Sequence, residues 1–378
     1  MRGLGKIQAG EVGYAMHTGK HSEIGMQKPA YPTKYDTILL AHGGGGQLTD
    51  ELIRQHILPR FKNDVLAQLG DSAKLNLASN SICFTTDSYV VKPLFFSGGD
   101  IGKLAVCGTI NDLAVAGSRP IALALSLIIE EGFEFDLLEK ILASIAEQAQ
   151  QNKVDVVTGD VKTVEAGAAD QIFINTAGIG IRLPGVDLGF DKIAVGDKII
   201  INGTIGDHGM TIISQREDIK FQSKMESDCA SLADLTCQLL GPVSSVEDRN
   251  GGSGIKFMRD PTRGGLAATL NEIVKATGLS IEICEADIPV TPAVQAAADM
   301  LGFDLLNIAN EGKFVAIVSP ESADDCLNVC KNHELGEKAK IIGRVCQSHD
   351  VPTVEMITKI GGRRIVQMPY GRELPRIC

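Results

Sequence analysis

Alternating strand and helix patterns predict a mixed α/β or α+β protein of two domains, followed by an extended tail. Three observations carry this. The chain has 378 residues, enough for two cores of ordinary size. Between residues 37 and 181, short β-branched runs alternate with segments of helical spacing. Leu183-Pro184-Gly185 then breaks the pattern, and a Gly-Asp turn leads into a second alternating stretch at Lys198-Ile199-Ile200-Ile201.

Taken in order, residues 1–36 mix Gly, Lys, His, Pro and Tyr without periodicity and read as a flexible extension. Residues 37–183 form the first domain. A short apolar run, Thr37 to Leu40, leads into Gly43-Gly44-Gly45-Gly46, and Leu48, Leu52, Ile53 and Ile57 mark a helix reaching Phe61, with Thr49 as a cap candidate. Strands are expected at Ile82–Thr86, Tyr89–Val91 and Ile121–Ile129, and at Val154–Val157, ending in Thr158-Gly159-Asp160. Helices fall at Ile101–Ala116 and Asp136–Gln150, and Gln171–Ile181 closes the set as a strand.

The second domain, 184–346, carries helices near Leu232–Leu240, Leu266–Thr277, Pro292–Leu301 and Ala323–Cys330. Strands are expected at Ser280–Cys284, Phe314–Val318 and Ile341–Val345, and Gln215–Asp228 reads as irregular. Residues 347–378 are strand-like, then polar, then Pro- and Arg-containing, and are expected as a tail outside any core.

Composition narrows the function. With 36 Lys+Arg against 47 Asp+Glu the net charge is −11, which argues against nucleic-acid binding. No apolar run approaches the roughly 20 residues needed to span a bilayer, and no secretory signal is expected, so the chain reads as cytoplasmic. Nine cysteines include no C-x-x-C pair, so zinc ribbons and thioredoxin-like motifs are poorly supported. Cys326 and Cys330, four apart on a helix, read as a buried stripe rather than a metal pair. Cys378 is different, because a chain terminus is usually solvated and mobile.

The chemistry-bearing residues cluster at turns. The glycine run 43–46 before a helix suits a phosphate cradle, and equally a tight turn. Asp71, Asp87, Asp160 and Asp260 lie at strand ends or in turns, where each fits either a cap or a ligand. Asn111-Asp112 lies inside an apolar helix, where a polar pair is costly unless it meets a ligand or partner. Lys162 could pair a phosphate or act as a base, or simply face solvent. Glu311 precedes an apolar strand, as a turn carboxylate or a general base. The terminal Leu374-Pro375-Arg376-Ile377-Cys378 bears a thiol whose pKa the α-carboxylate raises and Arg376 lowers. A chance terminal cysteine also fits that residue taken alone.

His42-Gly43-Gly44-Gly45-Gly46, the run Thr85 to Ile101, Gly108 to Pro120, Gly159-Asp160-Val161-Lys162, Asp260 to Gly265 and the last four residues share an order. Together they resemble the HypE family of hydrogenase maturation proteins over about residues 37–378. These are carbamoyl dehydratases in the superfamily of aminoimidazole ribonucleotide synthetase and selenophosphate synthetase. The resemblance implies an α+β aminoimidazole ribonucleotide synthetase-like fold, an N-terminal dimer β-barrel and a C-terminal α/β domain. It also implies ATP and Mg²⁺, with Asp71, Asp112 and Asp260 as metal ligands. His42, Gly43 to Gly46, Asp87, Asn111 and Asp160 would bind nucleotide, and Cys378, Lys162 and Glu311 would handle substrate. Val161 stands where the family more usually has Thr, and the N-terminal extension is atypical.

The implied reaction dehydrates an S-carboxamide on Cys378 to a thiocyanate, after loading by a partner carbamoyltransferase. The cyano group then passes to an iron-carrying HypC-HypD complex, toward a NiFe-hydrogenase centre. A selenophosphate synthetase would be expected to carry a reactive Cys or selenocysteine near the glycine loop, where this chain has His42. A non-catalytic thiol carrier is the other alternative, and ATPase activity separates it from an enzyme.

Overall fold

The computed structural model describes residues 35–43, 47–69, 72–73, 75–77, 79–216, 225–241, 254–348, 350–369 and 376–378. Residues 1–34 of the expected extension, Gly44 to Gly46, and Asp71 fall outside them. In place of the expected first strand, Thr37 makes an isolated bridge to Glu134, and Leu40–Gly43 turns as a 3-10 helix. Helix α1 (Gln47–Leu52) widens into a π turn at Ile53–Ile57, stopping short of Phe61.

Strand β1 (Ile82–Tyr89) merges the two short strands expected there. A small hairpin, β2 (Phe95–Phe96) and β3 (Gly99–Asp100), leads into α2 (Ile101–Val115). Asp100 caps α2 by accepting from Gly102 N at 2.7 Å and Lys103 N at 3.2 Å. Then follow β4 (Ser118–Glu130), α3 (Phe135–Gln151), β5 (Asp155–Val164) and β6 (Ile172–Arg182). The sheet order is β1-β6-β4-β5, antiparallel except for β4 with β5, whose crossover is α3.

β5 corrects one expectation. It does not end at Asp160 but runs through Val161 and Lys162, because β4 pairs with it as far as Glu130↔Val164. Gly159 permits this: a Cβ there would sit 2.2 Å from the Leu125 carbonyl oxygen. Leu138, Ile141, Leu142 and Ile145 bury one face of α3, each worth roughly 1.5–3 kcal/mol. Helix α2 is buried on most sides, since β1 and β6, α3, and the second domain's elements all pack on it. The sheet's other face leaves Ile82, Phe84 and Ile128 exposed, Phe84 at 69%.

The second half begins with β7 (Lys198–Ile201), α4 (Asp207–Arg216), α5 (Ala233–Leu240), β8 (Ile255–Arg259) and α6 (Gly265–Thr277). It continues with β9 (Ser280–Cys284), α7 (Pro292–Leu301), β10 (Val315–Val318), α8 (Ala323–Lys331) and β11 (Lys340–Cys346). Thr291 accepts from Val294 N, Pro292 opens α7, and Gly302 closes it at φ 75°. Cys326 and Cys330 are both buried, as a stripe.

The segment expected outside any core supplies two more strands, β12 (Val354–Ile357) and β13 (Arg363–Val366). They extend the sheet to the order β13-β12-β9-β11-β7-β10-β8. Val354, Met356 and Val366 are buried there, a stripe too short to stand out beside exposed Arg363 and Arg364. Among the described residues no helix is long and apolar enough to cross a membrane.

Candidate active site

The chain's last residues dock where the two halves meet. Val90 N donates to Cys378 O at 3.1 Å and Lys92 N to Arg376 O at 3.3 Å, an antiparallel pairing just beyond β1. The Arg376 guanidinium donates to Val90 O at 2.8 Å, pairs with Asp170, and lies over the Phe173 ring at 5.7 Å. Arg216, at the end of α4, donates to Arg376 O at 2.8 Å and Lys92 O at 2.6 Å. Ile377 is buried at 4% exposure, and its carbonyl lies 2.8 Å from His208 Nε2. A solvated, mobile terminus was the expectation. Backbone pairing, the arginine clamp and Ile377 burial replace it with an ordered one.

Around the thiol stand carboxylates. Burial pushes the Cys378 thiol up, Glu311 pushes further, Arg263 opposes, and Asp87 and Asp260 add to the rise. Arg376 faces Asp170 and Val90, so Arg263 is the arginine that acts on the thiol. Glu311 is 3% exposed and its Oε1 has no hydrogen-bond partner among the described residues. Its carboxyl lies well above the usual range, through burial first and then the charges of Asp228, Asp260 and Asp87.

Asp228 accepts the Glu311 N–H at 3.2 Å and pairs with Lys313 Nζ at 3.0 Å. Burial works to raise Asp228, but Lys313 and His208 outweigh it and hold the carboxyl below its usual value. Gly312 allows the close approach, since a Cβ would sit 2.0 Å from the Asp228 carbonyl oxygen.

Asp87 lies on β1 and Asp112 on α2, where Asp112 Oδ2 accepts from Thr85 Oγ1 at 2.7 Å. Asp260 follows β8. Burial raises Asp112, with Asp87 adding to it against Thr85; burial and the charge of Asp112 push Asp260 up to about 7. The structure therefore brings Asp87, Asp112, Asp260, Glu311 and Cys378 within one electrostatic neighbourhood.

Other expected site residues stand apart. Asn111 is buried and its amide is committed to protein: Nδ2 donates to Ala230 O at 3.0 Å and Glu311 O at 2.9 Å, and Oδ1 accepts from Leu232 N at 2.7 Å. His42 packs against Phe135 and Tyr35, with Nδ1 accepting from Leu39 N at 2.9 Å. Burial lowers its pKa. Gly43 presses on β5, where a Cβ would sit 2.2 Å from Thr163 N. Asp160 and Lys162 are 60% exposed and pair with each other at 2.5 Å. They share the outer sheet face with Ile128, which lies opposite Lys162 in register, away from α2.

Residues 70–182 match the N-terminal domain of AIR synthase related proteins, and residues 194–354 match the C-terminal domain. A carbamoyl dehydratase HypE from Bradyrhizobium diazoefficiens is 46% identical over 353 residues, 92% of this chain and 99% of its own. The chain belongs to the HypE family. A crystal structure of the hydrogenase maturation protein HypE in complex with ATP is 42% identical, with a TM-score of 0.84 over 90% of this chain and 99% of that one. A HypE-HypF complex gives 43% identity and a TM-score of 0.72, covering 86% of this chain and 100% of that one.

For a HypE chain, a hard divalent cation would relieve the crowding of these acids: the charge of Asp87 raises Asp112, and that of Asp112 raises Asp260. Among the described residues no three His, Cys, Asp or Glu side chains form a metal-holding group. His208, Arg216, Asp228, Arg263 and Asp170 escaped the sequence reading. Only the glycines flanking Asp207-His208 hinted at a special position.

Proposed function

We propose that this HypE chain dehydrates an S-carboxamide on Cys378 to a thiocyanate at the expense of ATP. The observation that carries the reading is the half-buried Cys378 thiol docked beside Glu311, a buried carboxyl with an unpartnered oxygen. The carboxamide oxygen would attack the γ-phosphorus of ATP and release ADP. Loss of one N–H proton gives a phosphorylated imidate. Loss of the second N–H proton then expels phosphate and leaves –S–C≡N. The amide oxygen, a poor leaving group, departs on phosphorus. Glu311, its pKa raised by burial, is the assigned proton acceptor.

The glycine loop would cradle the phosphates. Asp160 and Lys162, close in sequence to the Gly43 contact at Thr163, would lie at that end. Mg²⁺, held by Asp112 and Asp260 with Asp71, would neutralise charge on the triphosphate. A carbamoyltransferase of the HypF kind loads the thiol, and an iron-carrying HypC-HypD complex receives the cyanide. Exposed Ile82, Phe84 and Ile128 support pairing of two N-terminal sheets as a homodimer barrel.

The test incubates the protein with the carbamoyltransferase, carbamoyl phosphate and ATP, and weighs the C-terminal peptide. An adduct that loses one water only with ATP supports the reading. No adduct on Cys378 overturns it.

A further inference from the structure

We propose that His208 is the positioning residue that presents the Cys378 thiol to Glu311. The inference rests on the dehydratase reading and names the residue on which its geometry depends.

His208 has 0% exposure, and both ring nitrogens are engaged. A carbonyl can only accept, so Nε2 carries the proton and donates to Ile377 O at 2.8 Å. Nδ1 then accepts from the Ser227 hydroxyl at 2.7 Å, and Ser227 Oγ accepts the Cys229 N–H at 3.1 Å. With a neutral imidazole, each donor in this chain of bonds meets one acceptor. Burial favours that form by lowering the ring's pKa. The ring packs perpendicular to Phe96 with centroids 5.5 Å apart, which helps to fix its plane.

The carbonyl held by His208 belongs to the last peptide bond of the chain. Fixing that plane leaves only rotations within Cys378 to place its sulfur. The anchor is also shared. Ser227, which orients His208, is followed by Asp228, which accepts the Glu311 N–H. One two-residue segment therefore sets both the thiol and the carboxyl that acts on its cargo. Contact with a loading enzyme requires the tail to leave, and the His208 bond is a buried contact that must then break.

The experiment measures alkylation of Cys378 by iodoacetamide without nucleotide, read as mass on the C-terminal peptide. Loss of one buried hydrogen bond predicts about a tenfold faster reaction in His208→Ala. His208→Gln, whose amide can donate in place of Nε2, should stay within about twofold of the parent. With preloaded protein, His208→Ala should lose dehydration rate while ATP affinity is unchanged, and His208→Gln should regain it. Equal alkylation in a natively folded His208→Ala protein overturns the proposal, as does Gln behaving like Ala.

If His208→Ala fails to fold, Ser227→Ala should accelerate alkylation in the same direction, and a parental rate there overturns the proposal. Alkylation needs no carbamoyl chemistry. A failed dehydratase assay with the expected alkylation pattern would therefore count against the reading of the reaction and not against the anchor.

Discussion

Asp260→Asn should stabilise the metal-free protein, and only above mildly acidic pH. Asp260 has an ordinary value of 3.8 when exposed, and burial together with Asp112 pushes it to about 7 in the fold. The folded state therefore holds this proton more tightly than the unfolded chain. Below pH about 4 both states are protonated and the carboxyl costs nothing; the cost grows through that interval and is complete above about 7. Each unit is about 1.36 kcal/mol, so the full penalty approaches ~4 kcal/mol. Partial exposure of the side chain and local relaxation reduce the expectation to ~2 kcal/mol. For a chain of this size that corresponds to a rise in Tm of several degrees.

The chain has no Trp, so melting is best followed by far-UV circular dichroism or calorimetry. The variant and parent should melt alike at pH 4 and diverge by pH 8. A rise of equal size at both pH values, or none at pH 8, would refute the electrostatic origin. Saturating Mg²⁺ and ATP should reverse the ranking, because the parent's carboxylate then has a counter-charge.

Three further outcomes are expected. Gly43→Ala places a Cβ 2.2 Å from Thr163 N, so the glycine loop must shift, and ATP affinity by calorimetry should fall about tenfold or more. Phe84→Asp puts a charge on the exposed sheet face, so sedimentation should show a shift toward monomer while the fold, judged by circular dichroism, survives. Glu311→Gln removes the assigned proton acceptor and should slow dehydration of preloaded thiol by roughly 10²–10⁴-fold in single-turnover assays, leaving loading intact.

Much of the fold was legible because its signals are local. The α3 stripe has helical spacing, α7 carries Thr, Pro and Gly at its ends, and β9 begins and ends where its β-branched run does. β12 and β13 were not legible, since their burial depends on β9 lying alongside rather than on their own pattern. The site divides the same way. Asp87, Asp112, Asp260, Glu311 and Cys378 were identified as candidates, yet nothing in their spacing showed that they meet. His208 and Asp228 could not be found from sequence: each acts through a backbone group far along the chain, Ile377 O and Glu311 N.

Asn111 bears on how the protein can move. Its one side chain bonds Ala230, Leu232 and Glu311, all in the second half, from a helix rooted in the first. A hinge-bending opening at that point would strip three buried polar contacts together, at about 1–3 kcal/mol each. Rigid-body gaping is thus a poor route for turnover. Movement of the terminal peptide alone would leave all three bonds intact.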